Sequence, residues 1–325
     1  MKYPLISIII VAEEYSSYLE ESLPKYDNLD YPSFEVLVFT AKPCSNKISK
    51  VKFISAPYLA KNPAKRRDLA IKHAKGEWLA FIDDDAYPSK NWLKSAVALF
   101  KDPSIVAVCG PGVTPPGADD FEKASGWVSA SRLGGGNCTY RFIPAKKRFV
   151  DDFPSMNFIV RKKDFAQVGG FDSNYYPGED TKLCLDLTQK LGKKIMYDPK
   201  ILVYHHRRPL FKEHLKQNGG FGLHRGHFAR TLPQTSRRIG YFIPTLFALG
   251  FLAGPVLYLV SKLLFTIWVL VVIIYFLLLL LTASWVYSKE ERWKVAFLVI
   301  PGIFLTHVWY GIKFLQGLFA KDLNR

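Results

Sequence analysis

Two patterns of apolar residues divide this chain. Up to about residue 206 the apolar runs are short. Residues 5–11, 34–39, 51–54, 78–82 and 105–109 are rich in β-branched and aromatic side chains, the mark of buried strands. Residues 18–25, 64–74, 91–100 and 183–190 place their apolar positions at helical spacing instead. Strands and helices in alternation predict an α/β fold, a mostly parallel sheet sandwiched by helices. Ligands of such sheets sit beyond the carboxyl ends of the strands.

After residue 240 the pattern changes. Three long apolar runs follow, at 242–260, 263–285 and 295–319. The second holds no charged residue, and at ~1.5 Å per residue it is long enough to cross ~30 Å of hydrocarbon. The first is interrupted by Pro244, Gly250, Gly254 and Pro255, and the third carries His307 and Lys313. Residues 241–325 are therefore expected to form a transmembrane region of two or three helices. With two, the remaining run is re-entrant or interfacial. Arg237 and Arg238 precede the first run, and Lys289, Arg292 and Lys294 follow the second. The positive-inside rule places both flanks in the cytoplasm, with Ser261 and Lys262 as the outer turn. The run at 5–11 is short and meets Glu13 and Glu14 directly, so it reads as a strand and not as a signal peptide. The expectation is a multi-pass protein of the cell membrane with a cytoplasmic globular domain.

Charge sharpens the division. The 325 residues include 44 Lys plus Arg and 28 Asp plus Glu, a net charge of +16. Residues 207–238 hold eight basic residues and one acid, Glu213, interleaved with Phe211, Leu215, Phe221, Leu223 and Phe228. This reads as a basic amphipathic segment over 207–240 that lies on anionic lipid headgroups. The expected organisation is thus a globular domain at 1–206, the interfacial segment, and the membrane region. Apolar content of 49% excludes intrinsic disorder. Cys44, Cys109, Cys138 and Cys184 are far apart and form no CxxC, which argues for free thiols in a reducing compartment. The basic charge alone suits a membrane-tethered binding protein. No nucleic-acid motif accompanies it, so nucleic acid is not an expected partner.

The chemistry concentrates where residues 78–82 end in Asp83-Asp84-Asp85. Three adjacent carboxylates repel one another, and a cation is their natural partner. Oxygen ligands in a half-open site suit Mg²⁺ or Mn²⁺, with a diphosphate completing the shell. The alternative is a polar turn that caps the helix near residue 91. Upstream lies Asn62-Pro-Ala-Lys-Arg-Arg67-Asp68, running on to Gly76. Downstream lie Val168-Gly-Gly-Phe-Asp172, Gly178-Glu179-Asp180, Tyr197-Asp-Pro199 and Val203-Tyr-His205-His206-Arg207-Arg208. This order resembles the inverting nucleotide-sugar glycosyltransferases of family 2, which have a GT-A fold, here with a C-terminal membrane anchor. The resemblance covers residues 4–208 and the basic segment after them.

The resemblance implies roles. Asp83 to Asp85 correspond to the DxD motif, with Asp83 toward the ribose and the metal, Asp85 on the metal, and Asp84 in the same site. Arg67 and Asp68 fall where relatives carry an Arg-Asn pair near the nucleotide. His205 is the candidate to complete the metal shell, with His206 as its rival. Arg207 and Arg208 could neutralise a diphosphate or a lipid phosphate. Asp180 is the implied general base, and Glu179 orients it or meets the acceptor; a carboxylate here could instead cap the following helix. The implied cofactor is Mn²⁺ or Mg²⁺ and the implied donor a nucleotide-diphosphate sugar. The acceptor would be lipid-linked, a polyprenyl phosphate or a lipid-linked glycan, and anionic membrane lipids would be further partners.

Some features depart from the family. The first strand runs into Val11-Ala12-Glu13-Glu14-Tyr15, without the usual Pro and Asn turn. The second ends in Phe39-Thr40-Ala41-Lys42, without the acid that commonly meets the nucleotide base. A processive polysaccharide synthase would carry Gln-x-x-Arg-Trp, but Lys289 stands where that Gln belongs before Arg292-Trp293. A polyprenyl-phosphate monoglycosyltransferase remains an alternative. Residues 126–152, with Gly134-Gly135-Gly136, read as a mobile loop on the acceptor side.

Overall fold

The computed structural model describes residues 3–44, 46, 48–176 and 178–323. The chain divides into two compact units, Met1–Pro115 with Ile143–His206, and Pro116–Phe142 with Arg207–Arg325. Residues 116–142, grouped by the sequence reading with 1–206, cluster with the C-terminal part.

The first unit is built on strands β1 (Ile6–Ala12), β2 (Phe34–Thr40), β3 (Val51–Ser55), β4 (Trp78–Asp83), β5 (Ala86–Pro88), β6 (Ile105–Cys109), β7 (Gly112–Val113), β8 (Arg148–Val150), β9 (Asn157–Arg161), β10 (Lys194–Tyr197) and β11 (Val203–His205). Eight of them form one sheet in the order β3-β2-β1-β4-β9-β6-β10-β8. The pairs β2–β3, β1–β2, β1–β4 and β6–β10 are parallel. The pairs β4–β9, β6–β9 and β8–β10 are antiparallel, so the sheet is mixed. Strand direction was not legible because a strand buried on both faces has the same apolar run whichever way it points.

β1, Ile-Ser-Ile-Ile-Ile-Val-Ala, is buried almost throughout because it lies between β2 and β4. Its register aligns Val11 with Asp83 and Ala12 with Thr40, so β1, β2 and β4 end at one edge. The helix Pro63–Asp68 starts there. Asn62 accepts from the Lys65 N–H at 2.9 Å, and Pro63 takes the first position, where no N–H is needed. A second, three-stranded sheet has the order β5-β11-β7. Its placement depends on Asn157, fully buried, whose amide donates to Gly110 O and Ile201 O at 2.8 and 2.7 Å and accepts from Trp92 Nε1 at 2.8 Å. Gly110 is required at this crossing: a Cβ there would overlap Ile201 O.

The second unit is helical. Among the described residues, three of its helices are long and apolar enough to cross a membrane: Ile239–Val260, Lys262–Glu290 and Trp293–Phe319, with mean hydropathies of 2.0, 3.1 and 1.8. Tyr275, Leu279, Val286, Val295, Val299 and Ile303 from the last two form an apolar core with Val128 and Leu210. The helix Lys212–Thr231 covers most of the basic segment and packs along Trp293–Phe319, with Gly219 against Trp309 and Gly226 against Phe314. Residues 126–136 are helical except at Ser131, not a loop. Asp119 caps the helix Asp120–Ala130, and a helical turn at Arg132–Gly135 follows. A Cβ at Gly134 or Gly135 would overlap the carbonyl of Val128 or Ser129, so these glycines serve close approach, not mobility.

Candidate active site

β4 ends at Asp83, Asp84 and Asp85 make the turn, and β5 starts at Ala86. The helix beyond starts at Trp92 after Asn91, so the three aspartates do not cap it. β11 runs antiparallel to β5 with His205 opposite Ala86, and the His206 N–H donates to Asp85 O at 2.9 Å. This register brings His205 Nε2 to 3.0 Å from Asp85 Oδ1 and 4.0 Å from Asp83 Oδ2. One ligand atom from each of the three lies within 4.8 Å of the others. The Asp85 side chain is 8% exposed and that of Asp83 30%, so the cluster is closed below and open above. Two carboxylates and an imidazole at these separations fit a divalent cation of the Mg²⁺ or Mn²⁺ type. His206 faces elsewhere: its Nε2 lies 3.1 Å from Glu21 Oε2, with Tyr18 and Tyr87 beside the ring. Adjacent residues on an extended chain point to opposite faces, which separates the two histidines.

Arg67 joins this cluster to the next. Its Nη2 lies 3.2 Å from Asp83 Oδ1, its Nη1 2.9 Å from Glu179 Oε1, and the guanidinium sits 5.7 Å from the Phe171 ring centre. Burial opposes its charge, but Asp83, Glu179 and Asp180 outweigh burial and hold its pKa above the usual value. Glu179 is buried and also accepts the Gly178 N–H at 2.8 Å. Asp180 opens the helix Glu179–Leu185 and accepts the Thr181 N–H at 2.8 Å. Burial, with Arg67 beside it, lowers the pKa of Arg66 from its usual value, against the pull of Glu13, Tyr176 and Asp84, and its Nη1 donates to Ala12 O.

The structure also explains the Gly169-Gly170 pair. Both have positive φ, +92° and +77°, and a Cβ on Gly170 would overlap the Asp68 carboxylate. Asp68 Oδ1 accepts the Phe171 N–H at 2.8 Å, and burial raises its pKa to about 7. Arg207 and Arg208 belong to the second unit, where Arg207 lies over the Phe142 ring and its N–H donates to Glu122 at 2.8 Å. At the ends of β1 and β2, Lys42 pairs with Glu14 at 2.7 Å, both about half exposed.

Sequence reasoning missed two residues here. Arg66 was passed over beside Arg67, although a second Arg at a strand edge full of carboxylates was a signal. Asp152, buried, accepts from Thr181 Oγ1 at 2.9 Å and so braces the helix that carries Glu179 and Asp180. Only the Asp151-Asp152 pair after a strand-like run hinted at it.

This fold is GT-A. A mannosyltransferase of Pyrobaculum calidifontis, PcManGT, solved with GDP-Man and Mn²⁺, superposes with a TM-score of 0.59 over 99% of this chain and 89% of its own, at 16% identity. Residues 7–168 match glycosyl transferase family 2, so the chain carries that family's domain. The pre-mycofactocin glycosyltransferase of Mycobacterium tuberculosis is 28% identical over 163 residues, 50% of this chain but only 34% of that protein. This chain thus spans about a third of that relative's length. The dolichyl N-acetyl-alpha-D-glucosaminyl phosphate 3-beta-D-2,3-diacetamido-2,3-dideoxy-beta-D-glucuronosyltransferase of Methanococcus voltae is 24% identical over 331 residues, 96% of this chain and 97% of its own.

Proposed function

We propose that this protein is a membrane-bound, metal-dependent inverting glycosyltransferase that moves a sugar from a nucleotide-diphosphate donor to a lipid-linked acceptor on the cytoplasmic face of the cell membrane. The carrying observation is the Asp83, Asp85 and His205 cluster at the carboxyl end of β4. These three residues would hold Mn²⁺ or Mg²⁺. Such an ion neutralises the diphosphate and favours its departure. Asp84, with Arg66 beside it, and Arg67 line the donor side. Arg207 and Arg208 are assigned to a phosphate, and Asp68 to the turn that follows the donor site.

Asp180 takes the proton from an acceptor hydroxyl as that oxygen bonds to the anomeric carbon. The bond from this carbon to the diphosphate breaks, and its electrons leave with the nucleoside diphosphate. One displacement inverts the anomeric configuration. Glu179 is committed to Arg67 and the Gly178 N–H, which favours Asp180 as base and Glu179 as the residue that positions the loop. The Methanococcus voltae relative is named for a sugar-bearing dolichyl phosphate acceptor, and its match spans nearly the full length of both chains. That supports a lipid-linked sugar as acceptor. An acceptor hydroxyl needs a base, whereas a bare phosphate is already ionised.

Nucleoside-diphosphate release by the purified protein in lipid tests this. The donors are a panel of nucleotide sugars with Mn²⁺, Mg²⁺ or EDTA. The acceptors are a polyprenyl phosphate or a glycosylated dolichyl phosphate. Release from one donor, abolished by EDTA and raised by the glycosylated lipid, is expected. Release that ignores EDTA would refute metal dependence.

A further inference from the structure

We propose that the apolar helix Trp293–Phe319 does not cross the bilayer but lies against the leaflet on the side that holds residues 3–238, so that the chain crosses twice. Among the described residues, the segments long and apolar enough to cross are Ile239–Val260, Lys262–Glu290 and Trp293–Phe319. Everything before Ile239 is therefore on one side. That includes the helices Asp120–Ala130 and Lys212–Thr231, the second of which carries Lys212, Lys216, Arg225 and Arg230.

Both ends of Trp293–Phe319 are tied to these two helices. At its start, Lys123 is paired with Glu290, and Trp127 Nε1 donates to Glu290 Oε2 at 2.9 Å. Arg292 and Lys294 each stand 3.1 Å from the Asp120 carboxylate. The Lys123 and Glu290 side chains are only 10% and 14% exposed, so this is a packed junction. At the other end, Arg230 Nη2 donates to the carbonyl oxygens of Ala320 and Lys321, and His227 Nδ1 lies 3.4 Å from Ala320 O.

Between the ends, the helix keeps company with the polar helix. Thr306 meets His214 at 2.9 Å, Gly226 packs on Phe314, and Gly317 on Leu223. The two run side by side in the same direction from His214 and Thr306 to Arg230 and Ala320. A segment with four Lys and Arg does not lie in hydrocarbon, so neither does the length of Trp293–Phe319 packed along it. A helix that starts and ends on one side makes no net crossing. Its hydropathy is the lowest of the three, and 39% of its most apolar stretch is buried within the protein against 17% and 6% for the others.

Its uncovered apolar residues then have one occupant. Trp293, Phe297, Trp309 and Phe319 are exposed, and the surface is continuous in sequence with two spanning helices. The acyl–headgroup boundary of the near leaflet covers them, with Lys313 lying over the Trp309 ring as a snorkelling cation would.

The test uses the full chain in oriented sealed vesicles and a membrane-impermeant maleimide. Single cysteines are introduced as Glu213→Cys, Ser261→Cys and Asp322→Cys, with the four native cysteines replaced by alanine. The expected result is that Asp322→Cys reacts from the same side as Glu213→Cys, and Ser261→Cys from the other. Reaction of Asp322→Cys from the Ser261→Cys side would overturn the proposal. Protease protection of an epitope fused after the last residue, on the otherwise unaltered chain, gives the same reading without substitutions: shared digestion with the Glu213 side is expected, protection on that side overturns it.

Discussion

Arg67 Nη1 stands 2.9 Å from Glu179 Oε1, and both side chains are largely buried. The same guanidinium reaches Asp83, so one cation links the end of β4 to the helix that carries Asp180. Arg67→Ala leaves the buried Glu179 carboxylate without its main partner, and the expected loss of stability is about 3 kcal/mol or more. Arg67→Lys keeps the charge but not the fork, so it should recover part of the stability and little of the activity. Thermal unfolding beside donor turnover checks both; an Arg67→Ala variant with unchanged stability would contradict the link.

Asp180→Asn keeps the size of the side chain and an oxygen that can accept the Thr181 N–H. It removes the proton acceptor. The expected outcome is a fall in kcat of about 10² to 10⁴ with the donor KM little changed. Glu179→Gln should instead lower stability, because it removes the charge opposite Arg67. Equal kinetic losses from the two substitutions, with equal melting temperatures, would argue against separate roles.

Asp68 offers a test by pH. Its carboxyl titrates at about 7 in the folded protein because burial disfavours the charge, against about 3.9 for an unfolded chain. Between those values the folded state holds the proton and the unfolded state does not. The stability from this group is therefore full below about pH 4 and is lost as the pH rises through 7. Asp68→Asn can still accept the Phe171 N–H but carries no charge at any pH. Its melting temperature should exceed the wild type's above pH 7 and fall behind or match it near pH 4. A variant that is destabilised equally at both ends would show that the carboxylate itself is needed.

Much of this was legible in the sequence, and the limits have a physical cause. β1, β2, β4 and β6 were readable because each is a local run of apolar residues. The Asp83 to Asp85 cluster was readable because its ligands are adjacent in the chain. What depends on distant pairing was not. His205 and His206 look alike in sequence; only the register of β11 on β5 turns the first toward Asp85 and the second toward Glu21. Asp68 is expected near the nucleotide by position; that its carboxylate accepts the Phe171 N–H was not legible, because the partner lies on a distant part of the chain. Gly134 and Gly135 suggested a mobile loop, because a glycine chosen for close approach leaves the same mark as one chosen for freedom, as Gly136 with its positive φ is. Asp152 escaped notice since its partner Thr181 lies on another element.

The most direct test of the site is Mn²⁺ binding in the presence of a nucleoside diphosphate, measured by calorimetry for the unaltered protein, His205→Ala and His206→Ala. The cluster geometry calls for a loss of metal affinity of about a hundredfold or more in His205→Ala, with His206→Ala close to the unaltered protein. The reverse order, or two variants that bind as tightly as the unaltered protein, would contradict metal ligation by Asp83, Asp85 and His205.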